Sequence, residues 1–242
     1  MPADTQLGTQ QGSACWSCAA QVQSHFCTSC GKVQPPAPSD YFSFFGLSRK
    51  LNIDLAAMER EFYKQSRRLH PDVYARATDR EQHWSEEQSS RLNDAYRTLR
   101  DPIARTEYLL GLEGVKLEEQ SRQATDAARA AGGDKKQVVP PDLLEEVFEL
   151  NMQLEEMRMA KKTGETDIDA LESLRTAKRN FEQRLESSQA DLKKLWDEWD
   201  ALVDRGASPD ERKPVRDKMV DLLNRRSYVR NLVRDVNSAL ED

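Results

Sequence analysis

Residues 54–72 read DLAAMEREFYKQSRRLHPD, and this stretch decides the fold. With Asp54 as N-cap and about 100° of turn per residue, a helix here brings Leu55, Met58, Phe62 and Leu69 into one narrow arc. Arg60, Lys64, Arg67 and Arg68 then fall on nearly the opposite side, so one face is core and the other basic. The helix runs into His70-Pro71-Asp72, where the proline disfavours helical geometry in the residue before it and fixes the turn that follows. On an arbitrary helix a basic face means only solubility, and the bland reading makes Asp72 a cap of the next turn. The functional reading is different: basic side chains attract an acidic partner surface at long range, and the stiffened turn presents Asp72 to it.

The flanking sequence supplies the rest of a small helical domain over residues 40–112. A short helix is expected at 41–45, another ends near Leu99 with Leu92, Ala95, Tyr96 and Leu99 on one face, and a last one follows Asp101-Pro102. His83 reads as ordinary surface. Residues 113–139, whose apolar content is mostly alanine, admit a weak helix or a flexible connection and read as a linker.

From Pro140 to the end, three heptad-like runs are broken near residues 162–166 and 205–209. The middle run repeats Leu171, Leu174, Phe181, Leu185, Leu192, Leu195, Trp199 and Leu202; the last repeats Val215, Met219, Leu222, Val229, Leu232, Val236 and Leu240. Short connections make neighbouring helices antiparallel, which gives a three-helix bundle over 140–242. The first of these helices carries two apolar stripes. Leu143, Val147, Leu150, Leu154 and Met157 form one; Leu144, Phe148, Met152 and Met159 form another, about 140° around the cylinder. One stripe suffices for a bundle, so the second, flanked by Glu145, Glu149 and Glu156, calls for a client protein or the chain's own 40–112 domain.

Composition fixes the class and excludes others. A charged fraction of 32% in 242 residues and a mean hydropathy of −0.81 leave little material for one large core, and the scarcity of period-two alternation makes the chain all-α. The net charge of −6 and pI near 5.3 argue against nucleic acid as a partner. No run approaches the ~20 apolar residues that span a bilayer. Residues 1–14 have neither signal-peptide nor transit-peptide character and read as a disordered lead-in. The expected location is cytoplasmic, or the mitochondrial matrix if a presequence was removed before this numbering.

The four cysteines all lie at 15–30, as Cys15-Trp-Ser-Cys18 and Cys27-Thr-Ser-Cys30 with eight residues between the pairs. Two such turns aim four thiolates at one tetrahedral centre, which suits a single structural zinc ion; the rival readings are a redox dithiol pair, two disulfides or a rubredoxin-like iron centre. Four thiolate ligands leave no open position for substrate, so stability or partner contact is expected rather than chemistry. Thiol–disulfide exchange would need the thiolates free and reactive. His25, between the pairs, reads as a solvent-facing loop residue, and GKVQPPAPS at 31–39 as a semi-extended spacer closing a lobe of residues 15–39.

DYFSFFGL at 40–47, the basic helix, His70-Pro71-Asp72 and RLNDAYRTLRDPIARTEYLL at 91–110 together resemble a J-domain. The resemblance implies that Arg60, Lys64, Arg67, Arg68, His70, Pro71 and Asp72 dock on an ATPase chaperone of the DnaK/HscA type and trigger its hydrolysis of ATP, the chain itself being no enzyme. From Cys15 onward nearly the whole chain is similar to the HscB co-chaperones of iron–sulfur cluster assembly, through DYFSFFGL, TEYLLGLEGV at 106–115, the C-terminal bundle and leading cysteine pairs like those of animal members. That implies an IscU-type scaffold as client, bound through the first bundle helix. Matching ELNMQLEEM at 149–157 carries the scaffold contacts to Leu144, Phe148, Glu149, Met152 and Glu156, with Tyr228 from the last helix; Glu145 stands where the family often has methionine. The alternative is a J-domain co-chaperone for another client, with the zinc lobe used for assembly or partner binding. A homodimer is compatible with either.

Overall fold

Side-chain caps set the helix boundaries. Asp40 accepts from the Ser43 amide at 2.9 Å and opens α1 (Tyr41–Phe44); Asp54 accepts from the Ala57 amide at 2.9 Å and opens α2 (Leu55–Leu69). A 3-10 turn at Pro71–Tyr74 follows, and Thr78 with Glu81 forms a capping box that opens α3 (Asp79–Arg100). Then come α4 (Pro102–Leu112), a 3-10 turn at Pro141–Leu143, α5 (Leu144–Thr163), α6 (Ile168–Asp204) and α7 (Pro209–Glu241). The computed structural model describes residues 13–22, 24–115, 117, 140–163 and 168–241; α5 continues to Thr163, and the rest of the expected break at 162–166 and most of the expected linker lie outside the described residues. The all-α expectation holds. Among the described residues the exceptions are small: a two-stranded antiparallel ribbon, β1 (Ser13–Ala14) with β2 (Gln21–Val22), built partly from residues read as lead-in, and an isolated bridge between Phe26 and Val33. Among the described residues no helix is long and apolar enough to cross a membrane.

The chain divides into two compact units, Met1–Arg49 with Ile53–Arg105, and Lys50–Asn52 with Thr106–Asp242. In the first, Phe42, Phe44, Met58, Leu69, Leu92, Ala95 and Leu99 are buried, and Phe62 stacks on Tyr96 at 4.1 Å. Leu55 departs from the core arc. It is the first residue of α2 and is left 44% exposed, whereas Gln65, on the same arc, is buried with its amide donating to Glu61 Oε1 at 3.0 Å. The 31–39 segment holds no helix, as its prolines dictate, and it is bonded along α3. Gln88 Nε2 donates to the Gln34 carbonyl at 2.7 Å, Arg91 Nη1 to the Ala37 carbonyl at 3.0 Å, and Arg91 also bonds the Ser39 carbonyl.

In the second unit the first stripe of α5 is buried throughout, from Leu143 to Met157, against Leu174 and Phe181 of α6 and Val229, Leu232 and Val236 of α7. Early α6 residues share this cluster with late α7 residues, so the two helices run antiparallel. Gly206, at φ 67°, takes the left-handed turn after α6, and Ser208 with Glu211 caps α7 reciprocally. Farther along, Leu192, Trp199, Val215 and Met219 are buried, joined by Trp196, whose indole N–H donates to Thr106 Oγ1 at 3.0 Å. Leu223 is buried where Leu222 was expected, Leu222 being only partly covered.

Asp200 is buried and takes three hydrogen bonds from the Lys50–Asn52 segment: the Leu51 amide at 2.7 Å, the Asn52 amide at 2.8 Å and the Asn52 side chain at 3.0 Å. Removing the carboxylate leaves the buried Leu51 amide unpaired, so Asp200→Ala should lower stability by about 2 kcal/mol, seen as an earlier urea midpoint. An unchanged midpoint would contradict this.

Candidate functional site

The two cysteine pairs fold into matching knuckles. In the first, the Ala19 amide donates to the Cys15 carbonyl and the Cys15 amide to the Ala20 carbonyl; in the second, Gly31 donates to Cys27 and Cys27 to Lys32, all at 2.8–2.9 Å. Ala19 (φ 58°) and Gly31 (φ 73°) take the same left-handed conformation just after the second cysteine of each pair. Cys15 and Cys27 are buried, Cys18 and Cys30 exposed, and the four sulfurs lie within 4.8 Å of one another. Cys15 and Cys30 are 3.7 Å apart and Cys18 and Cys27 3.6 Å. A tetrahedral site with metal–sulfur bonds of about 2.3 Å has edges of about 3.8 Å, so the four cysteines fit one ion. The Ser17 amide and Gln34 Nε2 each lie 3.4 Å from Cys15 Sγ, donors suited to a thiolate.

The electrostatics agree. Burial pushes the Cys15 thiol up, but the Ser17 and Cys18 amides and the neighbouring thiols outweigh it and bring it down to about 6. The Ala20 amide favours the Cys18 thiolate, yet Cys27, burial and the other two sulfurs together push it up to about 12. Four adjacent sulfurs resist ionising together unless a cation balances them.

The tip of the first unit is open. His70 ends α2 in an extended conformation (φ −61°, ψ 129°), as a residue before proline should. Its Nδ1 accepts from the Asp72 amide at 3.3 Å, and the side chains of His70 and Asp72 are 56% and 90% exposed. Arg60, Lys64, Arg67 and Arg68 are exposed; Lys64 pairs with Glu61 at 3.1 Å, and the Arg68 guanidinium lies over the Phe26 ring, 3.7 Å from its centroid. Two apolar residues escaped the sequence reading. Tyr63, beside Arg67 on the helical wheel, and Val73, just past the tip, are both exposed and give the basic surface an apolar component. A helical projection would have found Tyr63.

On α5 the second stripe is exposed along its length: Leu144, Phe148, Met152 and Met159 are all at least half accessible, with Glu145, Glu149 and Glu156 beside them. Tyr228 does not join them. It is buried in the bundle cluster beside Val229, where closure of the bundle between α5 and α7 encloses it.

The cysteine lobe also touches the helices of its own unit. Trp16 packs edge-on against Trp84 at 5.6 Å and donates to the Val33 carbonyl at 2.7 Å, and Lys32 pairs with Glu81 at 2.7 Å. His25 is half-buried rather than solvent-facing, because Phe44 supplies both a ring face at 4.1 Å and a carbonyl 3.2 Å from Nε2. His83 is on the surface as expected.

No family model matches the chain. Curated relatives do: a co-chaperone protein HscB homolog of Azoarcus sp. (strain BH72) is 32% identical over 202 residues, 84% of this chain and 94% of the relative. The iron-sulfur cluster co-chaperone protein HscB of Mus musculus is 29% identical over 189 residues, 74% of this chain and 73% of that protein. Among solved structures, that of human co-chaperone protein HscB superposes with a TM-score of 0.57 at 23% identity, covering 93% of this chain and 96% of its own, a likeness of fold.

Proposed function

Because this chain belongs to the HscB family of iron–sulfur cluster co-chaperones, we propose that it binds an IscU-type scaffold and delivers it to an HscA/DnaK-type chaperone whose ATPase it stimulates. The observation that carries the reading is the exposed His70-Pro71-Asp72 tip at the end of a basic, exposed helical face. Arg60, Lys64, Arg67 and Arg68 steer and register this face on an acidic chaperone surface, a contribution that salt weakens. Pro71 holds the turn, His70 ties the Asp72 amide with Nδ1 while more than half of its side chain stays accessible, and Asp72 offers a carboxylate at the apex.

The scaffold docks on the exposed stripe of Leu144, Phe148 and Met152, with Glu149 and Glu156 at its rim as hydrogen-bond acceptors. Tyr228 supports that helix from inside the bundle instead of contacting the client. Holding the scaffold on one unit while the other engages the chaperone raises the client's effective concentration at the chaperone without any new contact. A titration with an IscU-type scaffold tests the client assignment. A saturable isotherm at equal stoichiometry is expected, and no binding at tens of micromolar would give the client role to another protein.

The metal held by Cys15, Cys18, Cys27 and Cys30 is zinc in this reading, since four thiolates in a tetrahedral set suit that ion and leave it no free position. Bound there, it supplies a cross-link in place of the core that so small a lobe cannot build. Purified chain should carry about one zinc ion, and Cys18→Ser with Cys30→Ser should lose it along with the near-ultraviolet dichroism of Trp16 while helix content stays nearly constant. Iron-type visible absorption, or full zinc content in the double variant, would contradict the assignment.

A further inference from the structure

The loop that presents His70, Pro71 and Asp72 leaves α2 at Leu69 and enters α3 at Asp79, and the cysteine lobe grips the helix at each end of it. At the α2 end the guanidinium of Arg68, one residue before Leu69, sits over the ring of Phe26, and Phe26 is itself buried and bridged to the fully enclosed Val33. At the α3 end Lys32 Nζ lies 2.7 Å from Glu81 Oε1. Glu81 is almost wholly buried, and its other oxygen accepts from the Thr78 hydroxyl at 2.9 Å and the Thr78 amide at 3.3 Å, so the carboxylate that Lys32 neutralises is the one that caps α3. Trp16 adds its edge to Trp84 one turn farther on. Within the loop, burial pushes the Tyr74 hydroxyl up, and Arg68, Glu81 and Lys32 are all close enough for their charges to act on it.

The three gripping residues share one feature of sequence. Trp16 follows Cys15, Phe26 precedes Cys27 and Lys32 lies two past Cys30, so each is aimed by a knuckle whose geometry the four sulfurs set. A lobe needed only for its own stability has no reason to spread its contacts over both ends of one loop.

We propose that the tetracysteine lobe is a brace for the chaperone-docking tip: Phe26, Lys32 and Trp16 are positioning residues that hold the 70–78 loop in its docking geometry, so that the state of the four cysteines sets how tightly the chaperone is engaged. This rests on the chaperone-docking reading above. The physical basis is preorganisation. A loop held in the competent conformation binds with its intrinsic affinity, whereas one that is competent only a fraction of the time binds more weakly by that fraction. Losing one cation–π contact or one partly buried ion pair is expected to weaken engagement about three- to tenfold. Loss of the metal, or oxidation of the thiols to disulfides by a peroxide or disulfide oxidant that is itself reduced, would release all three contacts together.

The test uses the full-length, metal-loaded chain and two readouts: amide hydrogen exchange across residues 70–78, and the concentration giving half-maximal stimulation of an HscA/DnaK-type ATPase. Phe26→Leu and Lys32→Met are compared with wild type, with Phe26→Tyr as the conservative variant and His70→Gln as control, and metal content is measured for each. We expect Phe26→Leu and Lys32→Met to exchange faster across 70–78 and to need about three- to tenfold more protein for half-maximal stimulation, Phe26→Tyr to behave as wild type, and chelation of the wild-type chain to give the same faster exchange. Unchanged exchange and an unchanged half-maximal concentration in Lys32→Met would overturn the brace. That variant decides the matter if Phe26→Leu sheds its metal, because the Lys32 side chain is no ligand. The control separates the two claims: if wild type and His70→Gln stimulate equally, the docking reading has failed, whereas a normal His70→Gln defect beside unaltered lobe variants sinks the brace alone.

Discussion

His70→Gln should leave the fold intact and remove stimulation of the chaperone ATPase. The imidazole is 56% exposed, its Nδ1 accepts from the Asp72 amide and lies 3.5 Å from the Asp72 carboxylate, and a glutamine carbonyl can take over the bond from the amide. The stability change is therefore expected to stay within about 0.5 kcal/mol, the usual range for an exposed site. What glutamine cannot supply is a rigid, exposed aromatic ring with a second nitrogen. If that ring fills a pocket at the centre of the chaperone contact, its loss costs about 2 kcal/mol or more, roughly a thirtyfold fall in apparent affinity. Scaffold affinity, which the proposal assigns to α5, should not change. Circular dichroism, a scaffold titration and steady-state ATP hydrolysis on one preparation would establish all three, and equal stimulation by the variant would refute the role given to the tip.

The second large effect belongs to the exposed stripe of α5. Phe148 is 68% exposed and Met152 50%, one turn apart, while Leu150 and Leu154 behind them are 2% and 8% exposed. Phe148→Ser with Met152→Ser should therefore spare the bundle and remove two apolar anchors from the scaffold contact. At about 1.5 kcal/mol or more for each anchor, the pair should weaken scaffold binding on the order of a hundredfold. Leu150→Ser is the contrasting change and should unfold the bundle, because it places a hydroxyl in a packed core. An unaltered scaffold isotherm for the double variant, with its melting temperature also unaltered, would mean that the client binds elsewhere.

Much of this architecture was legible in the sequence because local rules carry it. Asp54 starts a helix where an N-cap is expected, and the first apolar stripe at Leu143 to Met157 is buried residue for residue. Glycine and a Ser208–Glu211 box mark the one interhelical turn of the bundle that the structure describes. The C-x-x-C spacing likewise brought four sulfurs together without any knowledge of the rest of the fold. Contacts between residues far apart in sequence leave no periodic trace. Nothing local announces that Asp200, an acidic residue in a charged heptad run, will accept from amides 149 and 148 positions away, or that Gln88 and Arg91 will bind carbonyls of the proline-rich segment. His25 and Tyr228 show the same gap. Their surroundings depend on Phe44 and on the closure of the bundle, and neither follows from a wheel or a motif. The grip of Phe26 and Lys32 on α2 and α3 was hidden for the same reason.

The most direct measurement is ATP hydrolysis by an HscA/DnaK-type chaperone with this chain alone, with an IscU-type scaffold alone and with both together, repeated with His70→Gln. We expect the pair to stimulate more than the two separate effects multiplied, and His70→Gln to return the rate to that of the scaffold alone. Hydrolysis that the wild-type chain does not raise, with or without scaffold, would contradict the central claim that its exposed tip drives the chaperone.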